Sequence, residues 1–196
     1  MQFTTFGNIS RAGSYLLFID LRAPVRVSFG RFMGGMEFPL DRGCYLYVGS
    51  ALGSGRGAFP LATRLLRHAS RSGDRVPHSI SGELLNHFRS MGFDPGRKAS
   101  AKRLHWHIDY LLDPPEAEIS QIVMVTEPSR LEHRLASLVA SIPGTSPVAD
   151  RLGAQDASSG THLFKVADPA DLLERLKIAI PMILSSQTPP TSPGHP

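Results

Sequence analysis

The stretch Tyr45-Leu46-Tyr47-Val48-Gly49-Ser50-Ala51 decides how this chain is read. Its start alternates like a strand. In extended backbone Tyr45 and Tyr47 share one face, while Leu46 and Val48 share the other. Asp41-Arg42-Gly43 just before it is a turn, so the strand is read over 44–48. The run 49–57 is rich in glycine and serine and reads as a loop. Upstream, Gly13-Ser14-Tyr15 leads into Leu-Leu-Phe-Ile-Asp-Leu, a second strand over 15–21. Ala23-Pro24 ends it, residues 25–29 offer a further strand, and Gly34-Gly35 marks a turn.

Downstream, Pro60 suits the first turn of a helix. Leu61, Leu65 and either Leu66 or Ala69 form its apolar stripe. Arg64, Arg67, His68 and Arg71 recur at i, i+3, i+4 and i+7 and share a face. Such a face is often simply solvated. Here no Asp or Glu occurs between Asp41 and Asp74, so an anionic partner would relieve the repulsion. Two aromatic-bearing strands and a cationic helix face suit a phosphodiester. Arg97 and Lys98, with Lys102 and Arg103, add a second basic cluster.

Residues 73–100 read as an insertion with its own helix over 82–91, with Leu84, Leu85 and Phe88 as apolar face. It is expected to pack on the core without forming it. Residues 104–112 are ambiguous. As a strand they put His105, His107 and Asp109 on one face; as a short helix they turn Ile108, Leu111 and Leu112 inward, and the helix is preferred. A strand over 119–126, a helix over 129–142 and a strand over 162–166 follow. Asp168-Pro169 starts a last helix that reaches 184 with a break or kink at Pro181. Residues 185–196 are rich in Ser, Pro and Thr and read as a disordered tail.

The chain has 196 residues, 41% of them hydrophobic, enough for one core. The formal charge of +4 permits a polyanionic partner. A single cysteine, Cys44, excludes an intrachain disulfide framework and reads as a small buried thiol. No signal-peptide pattern or membrane-spanning apolar run is evident, so a cytoplasmic protein is expected. The expected class is α+β, with a small antiparallel or mixed three-stranded central sheet flanked by helices.

Gly13-Ser14-Tyr15, Tyr47-Val48-Gly49 and the Arg64/His68 helix, in that order, resemble the GIY-YIG nuclease superfamily. Trp106-His107-Ile108-Asp109-Tyr110-Leu111-Leu112 and Thr161-His162-Leu163-Phe164 are similar to its Uri-type endonuclease branch, the type grouped as domain of unknown function 123. The resemblance spans about 13–166. It implies a divalent-metal-dependent endonuclease that hydrolyses DNA. Tyr15 and Tyr47 would position or deprotonate the attacking water, and Arg64 would stabilise charge on the phosphate. His68 would act as base or tyrosine partner. Glu132 would hold Mg²⁺ or Mn²⁺. Arg67, Arg71, Lys98, Lys102 and Arg103 would grip the DNA backbone.

Two alternatives stay open. Ser129-Arg130-Leu131-Glu132 is also a capping box, which would occupy Glu132 structurally. His105, His107 and Asp109 have the spacing of a binuclear zinc hydrolase, although Tyr110 stands where a further histidine belongs. A catalytically silent nucleic-acid-binding module on the same fold is the main rival to the enzyme. The chain also departs from the Uri-type pattern. Ala157 and Ser159 stand where cysteines are common, and the late asparagine has no counterpart.

Overall fold

The computed structural model describes residues 2–8, 10–53, 58–93, 102–153 and 160–186. The sequence readings for Arg97, Lys98, Ala157 and Ser159 and for the last ten residues fall outside these ranges.

The apolar segments assemble into one six-stranded mixed sheet. Its strands are β1 (Phe3–Gly7), β2 (Gly13–Leu21), β5 (Gly43–Ala51), β6 (Ala117–Thr126), β7 (Thr145–Pro147) and β8 (Leu163–Val166). Their order is β1-β6-β2-β5-β8-β7, with only β1 and β6 parallel. The α+β class agrees with the sequence, but the three-stranded sheet is corrected to six. The expected centre is present as β6-β2-β5. The additional edge strands β1 and β7 are short and only partly buried, so their own sequence carries little apolar alternation. A separate hairpin pairs β3 (Val25–Ser28) with β4 (Glu37–Leu40).

Among the described residues five α-helices cover the sheet: α1 (Pro60–His68), α2 (Ser81–Ser90), α3 (His107–Leu112), α4 (Glu132–Ser141) and α5 (Pro169–Ser185). Side-chain alternation divides the core as the strand pattern requires. Tyr15, Leu17, Ile19, Tyr45 and Tyr47 join α1, α2 and α3 on one face. Leu16, Phe18, Leu46 and Val48 join α4 and α5 on the other. Cys44 is buried on this second face, where burial and then Asp20 push its thiol up to about 12. Asp168 caps α5 through the amides of Ala170 and Asp171, and the helix runs through Pro181 without the expected break.

Strand β5 continues to Ala51, beyond the expected end at Val48, with Gly49 paired to Tyr15. The Tyr15 ring lies directly on that glycine. A Cβ at Gly49 would sit 2.6 Å from the Tyr15 hydroxyl oxygen, so any larger residue would displace the tyrosine.

The described part of the expected insertion, residues 73–93, contributes to the core. Ile80, Leu84 and Phe88 are fully or almost fully buried in the same apolar cluster as α1 and the sheet. Phe88 packs edge-on against Phe59, with ring centroids 5.7 Å apart. His78 is buried at its start; its Nε2 lies 3.0 Å from the Leu112 carbonyl, and the Ile119 amide donates to Nδ1. Phe88→Ala is therefore expected to cost about 3–5 kcal/mol, read as a lower denaturant midpoint. A cost below 1 kcal/mol, on the order of an exposed substitution, would return the segment to the periphery.

Candidate active site

Helix α3 begins at a buried carboxylate. Asp109 is 0% exposed and accepts from the His105 amide at 2.9 Å and the Trp106 amide at 3.0 Å, which fixes the first turn of α3. Arg67 of α1 donates to both Asp109 oxygens, at 2.8 and 2.9 Å, and also to the Arg103 carbonyl. Burial works to raise the Asp109 pKa, but nearby His68 and the hydrogen bonds from Arg67 and the His105 amide outweigh it and hold it well below the usual range.

The same carboxylate faces His68. Nδ1 of His68 lies 3.5 Å from Asp109 Oδ1, and Nε2 lies 2.8 Å from the Tyr15 hydroxyl. Burial lowers the His68 pKa to about 4 despite Asp109, so the ring is neutral at pH 7. A proton on Nδ1 then faces the carboxylate, and Nε2 is left to accept from Tyr15. Burial also raises the Tyr15 pKa, assisted by Tyr47 and opposed by Arg64. The resting state is a neutral tyrosine bonded to a neutral histidine, with an anion behind.

In front of this relay lies a cleft of about 740 Å³ lined by Tyr47, Ser50, Arg64, Trp106, Glu132 and His162. Tyr15 is fully buried one layer deeper, its ring centroid 6.4 Å from that of Tyr47. The Arg64 guanidinium stacks on Trp106, 3.7 Å from the ring centroid, and Arg67 approaches the same ring at 4.4 Å. Arg64 forms no ion pair among the described residues. Stacking fixes its plane beside Tyr15, to which it also hydrogen-bonds, at the lining of the cleft.

Glu132 arrives from the other layer. Helices α1 and α4 pack on opposite sheet faces, but Glu132 is the first residue of α4 and reaches the end of β5. There Ser50 donates to Oε2 at 2.5 Å, and His162 Nδ1 lies 2.9 Å from Oε1. Burial opposes ionisation, but His162 and Ser50 outweigh it and lower the Glu132 pKa. The capping-box reading fails on this geometry. Leu131 occupies the cap position, with no side-chain cap bond, and the carboxylate serves the cleft instead. A carboxylate held anionic beside open space can serve as a Mg²⁺ ligand completed by waters and substrate oxygens. Among the described residues no group of three or more His, Cys, Asp or Glu could hold a metal.

The other predicted cations are placed differently. Arg71 is buried and donates to the carbonyls of Val76 and Ala117 and to Glu118. The Lys102 side chain is 2% exposed, with Nζ on the Ser70 carbonyl; burial lowers its pKa to about 8. Arg103 is exposed. The repulsion on α1 is thus relieved from within the chain, by Asp109 and Glu118, and the expected open stripe is not formed by Arg67, Arg71 and Lys102. The zinc spacing does not converge either. His107 Nδ1 accepts from the Gly153 amide, and Asp109 is turned to Arg67.

Of the residues singled out from sequence, the structure places Tyr47, Arg64 and Glu132 around one cleft and joins Tyr15 to His68 by a hydrogen bond. Sequence reasoning misses the Asp109 contact with His68, the Trp106 platform, and the Ser50 and His162 contacts to Glu132. The one signal for Asp109 is its place at the third helical position after Trp106. The arrangement defines a mixed α+β protein in which Tyr15, His68 and Asp109 stand in a row behind an arginine- and glutamate-lined cleft. Residues 14–184 match the family described as a domain of unknown function, DUF123, and the chain belongs to it. No curated protein and no solved structure matches the chain.

Two buried histidines give the fold a pH dependence. His68 and His78 are both lowered by burial to about 4, against about 6.5 in an unfolded chain. Between those values the unfolded chain binds protons that the folded chain does not. Stability therefore falls as pH drops from 6.5 towards 4, and these groups leave it flat above 6.5. Melting temperatures across that range should show the fall, and His68→Gln should reduce its slope. A level profile would contradict neutral burial of these rings.

Proposed function

We propose that this protein is a divalent-metal-dependent endonuclease that hydrolyses DNA phosphodiester bonds, as the GIY-YIG and Uri-type resemblance implies. One observation carries the reading: Tyr47, Arg64 and Glu132 line a single cleft, with the Tyr15–His68–Asp109 relay directly behind it.

The chemistry follows from these groups. Tyr47 lines the cleft and orients the attacking water. Tyr15 donates to His68 Nε2, so as the attacking water passes its proton to Tyr15 the phenol's own proton moves to His68, and the leaving oxygen takes a proton from solvent. The resulting imidazolium is stabilised by the Asp109 charge, whose Oδ1 lies 3.5 Å from Nδ1 and favours a proton there. Arg64, flat on Trp106, presents paired N–H donors to the non-bridging phosphate oxygens, whose charge grows in the transition state. Glu132 is the residue that would hold Mg²⁺ or Mn²⁺, and the bound cation supplies further stabilisation of charge on the phosphate and leaving oxygens. His162 and Ser50 keep Glu132 ionised and pointed at the end of β5. Backbone contact falls to Arg64, Arg130 and exposed Arg103 more than to Arg71 or Lys102.

The test is cleavage of supercoiled, nicked, branched and single-stranded DNA with Mg²⁺ or Mn²⁺ by the parent and by Glu132→Gln. Gln can still accept from Ser50, so folding should change by no more than about 2 kcal/mol. Cleavage should fall at least about 100-fold while DNA affinity holds or rises. A variant that cleaves like the parent would remove Glu132 from the site. A parent that binds DNA but cleaves none of these substrates would make the protein a silent binding module.

A further inference from the structure

A second cavity, of about 1140 Å³, adjoins the cleft. His105 and His107 line both, so the two spaces are continuous along the start of α3. Its walls are aromatic. Phe32 lies 5.3 Å from the His107 ring and 5.7 Å from Phe38, and Tyr110 closes the inner side. The hairpin that carries Phe32 and Phe38 is anchored in the core by Val27, Phe29 and Leu40. At Gly30 the backbone runs against Tyr110: a Cβ there would lie 2.9 Å from the Tyr110 hydroxyl, and φ is +65°. Met33, 58% exposed and held at φ 46°, lines the mouth as a soft apolar lip.

The rim differs from the walls. Arg31 and Arg151 contribute cations, and Asp150 contributes an acceptor. A purely apolar guest would leave these groups unused. A free phosphate would leave the rings unused and meet Asp150. A nucleobase uses both kinds of group. Its faces stack on aromatic rings, its N–H edge can donate to a carboxylate, and its flanking phosphates meet arginines.

We infer that this cavity takes an unpaired nucleobase of the same strand whose phosphate lies against Tyr47 and Arg64. The substrate class is then DNA with an extrahelical or single-stranded nucleotide beside the cleavage point. The inference rests on the phosphodiesterase reading above and narrows it. Taking a base out of the stack is least costly where it is already unpaired, which gives the site a structural preference without reading sequence.

The experiment measures affinity of the full chain, with Ca²⁺ in place of Mg²⁺, for three duplexes. One is fully paired, one carries a single extrahelical adenosine, and one carries the same bulge as an abasic nucleotide. Stacking of one base corresponds to about a 5- to 150-fold gain, so the adenosine bulge should bind more tightly than the abasic bulge by a factor in that range. Phe32→Leu keeps apolar volume but removes the ring, and the adenosine-to-abasic ratio should fall towards one. Phe38→Leu provides the same reading should Phe32→Leu unfold, with melting temperature as control. Equal affinity for the adenosine and abasic bulges would overturn the inference, because bending of the backbone alone would then explain any preference. If the parent cleaves paired and bulged DNA equally and shows no base-dependent affinity, only this inference falls. If the parent neither binds nor cleaves any DNA, both readings fall.

Discussion

The buried carboxylate of Asp109 is the interaction on which the rest of this site depends. An ionised group removed from water is tolerated only when its charge and lone pairs are met. Asp109 is met by two amides at the start of α3 and by a two-oxygen contact with Arg67 on α1. Those bonds join two helices that are distant in sequence. They also pull Trp106 into place beside α1, where it becomes the platform for Arg64. Oδ1 also faces His68 Nδ1 at 3.5 Å and the buried Lys102 Nζ at 4.0 Å. A single desolvated charge therefore orders the helix packing, the arginine and the histidine together.

The sheet supplies the second constraint. Tyr15 and Tyr47 must share one face of neighbouring strands, and the antiparallel register of β2 and β5 puts them there. Gly49 gives the Tyr15 ring room to lie across β5. Ser50, one residue on, points to the opposite face, where α4 begins. This alternation lets a tyrosine from one layer and a glutamate from the other meet at the same strand end. A cleft built between two layers places an anion, a guanidinium and phenols around one space. Those are the requirements of phosphoryl chemistry, and they support the proposed nuclease reading.

Local patterns revealed the elements better than the pairing. Alternation in Tyr45 to Val48 and in Tyr15 to Leu21 identified both central strands and their faces, and the Asp168-Pro169 start of α5 was legible from its cap. Strands β1 and β7 were not, because short, half-exposed edges owe their existence to a partner far away in sequence. The burial of Phe88 was hidden for the same reason: its Leu84/Phe88 stripe fits a peripheral helix and a core helix equally well. The charge argument on α1 failed instructively. The search for acids was confined to nearby sequence, whereas Arg67 and Arg71 find Asp109 and Glu118 more than forty positions away. Glu132 was legible as a residue of interest, but its competition between a cap and a cleft was decided only by Ser50 and His162.

The nitrogen of His68 that carries the proton decides whether Tyr15 has an acceptor for its own. Ring nitrogen–proton correlations from ¹⁵N-histidine-labelled protein at pH 7 read this directly. With Asp109 facing Nδ1 and Tyr15 donating to Nε2, His68 should be neutral, protonated at Nδ1 and bare at Nε2. Asp109→Asn should weaken that preference. A His68 protonated at Nε2, donating to the Tyr15 oxygen, would leave the tyrosine with no acceptor for its proton and would contradict the relay.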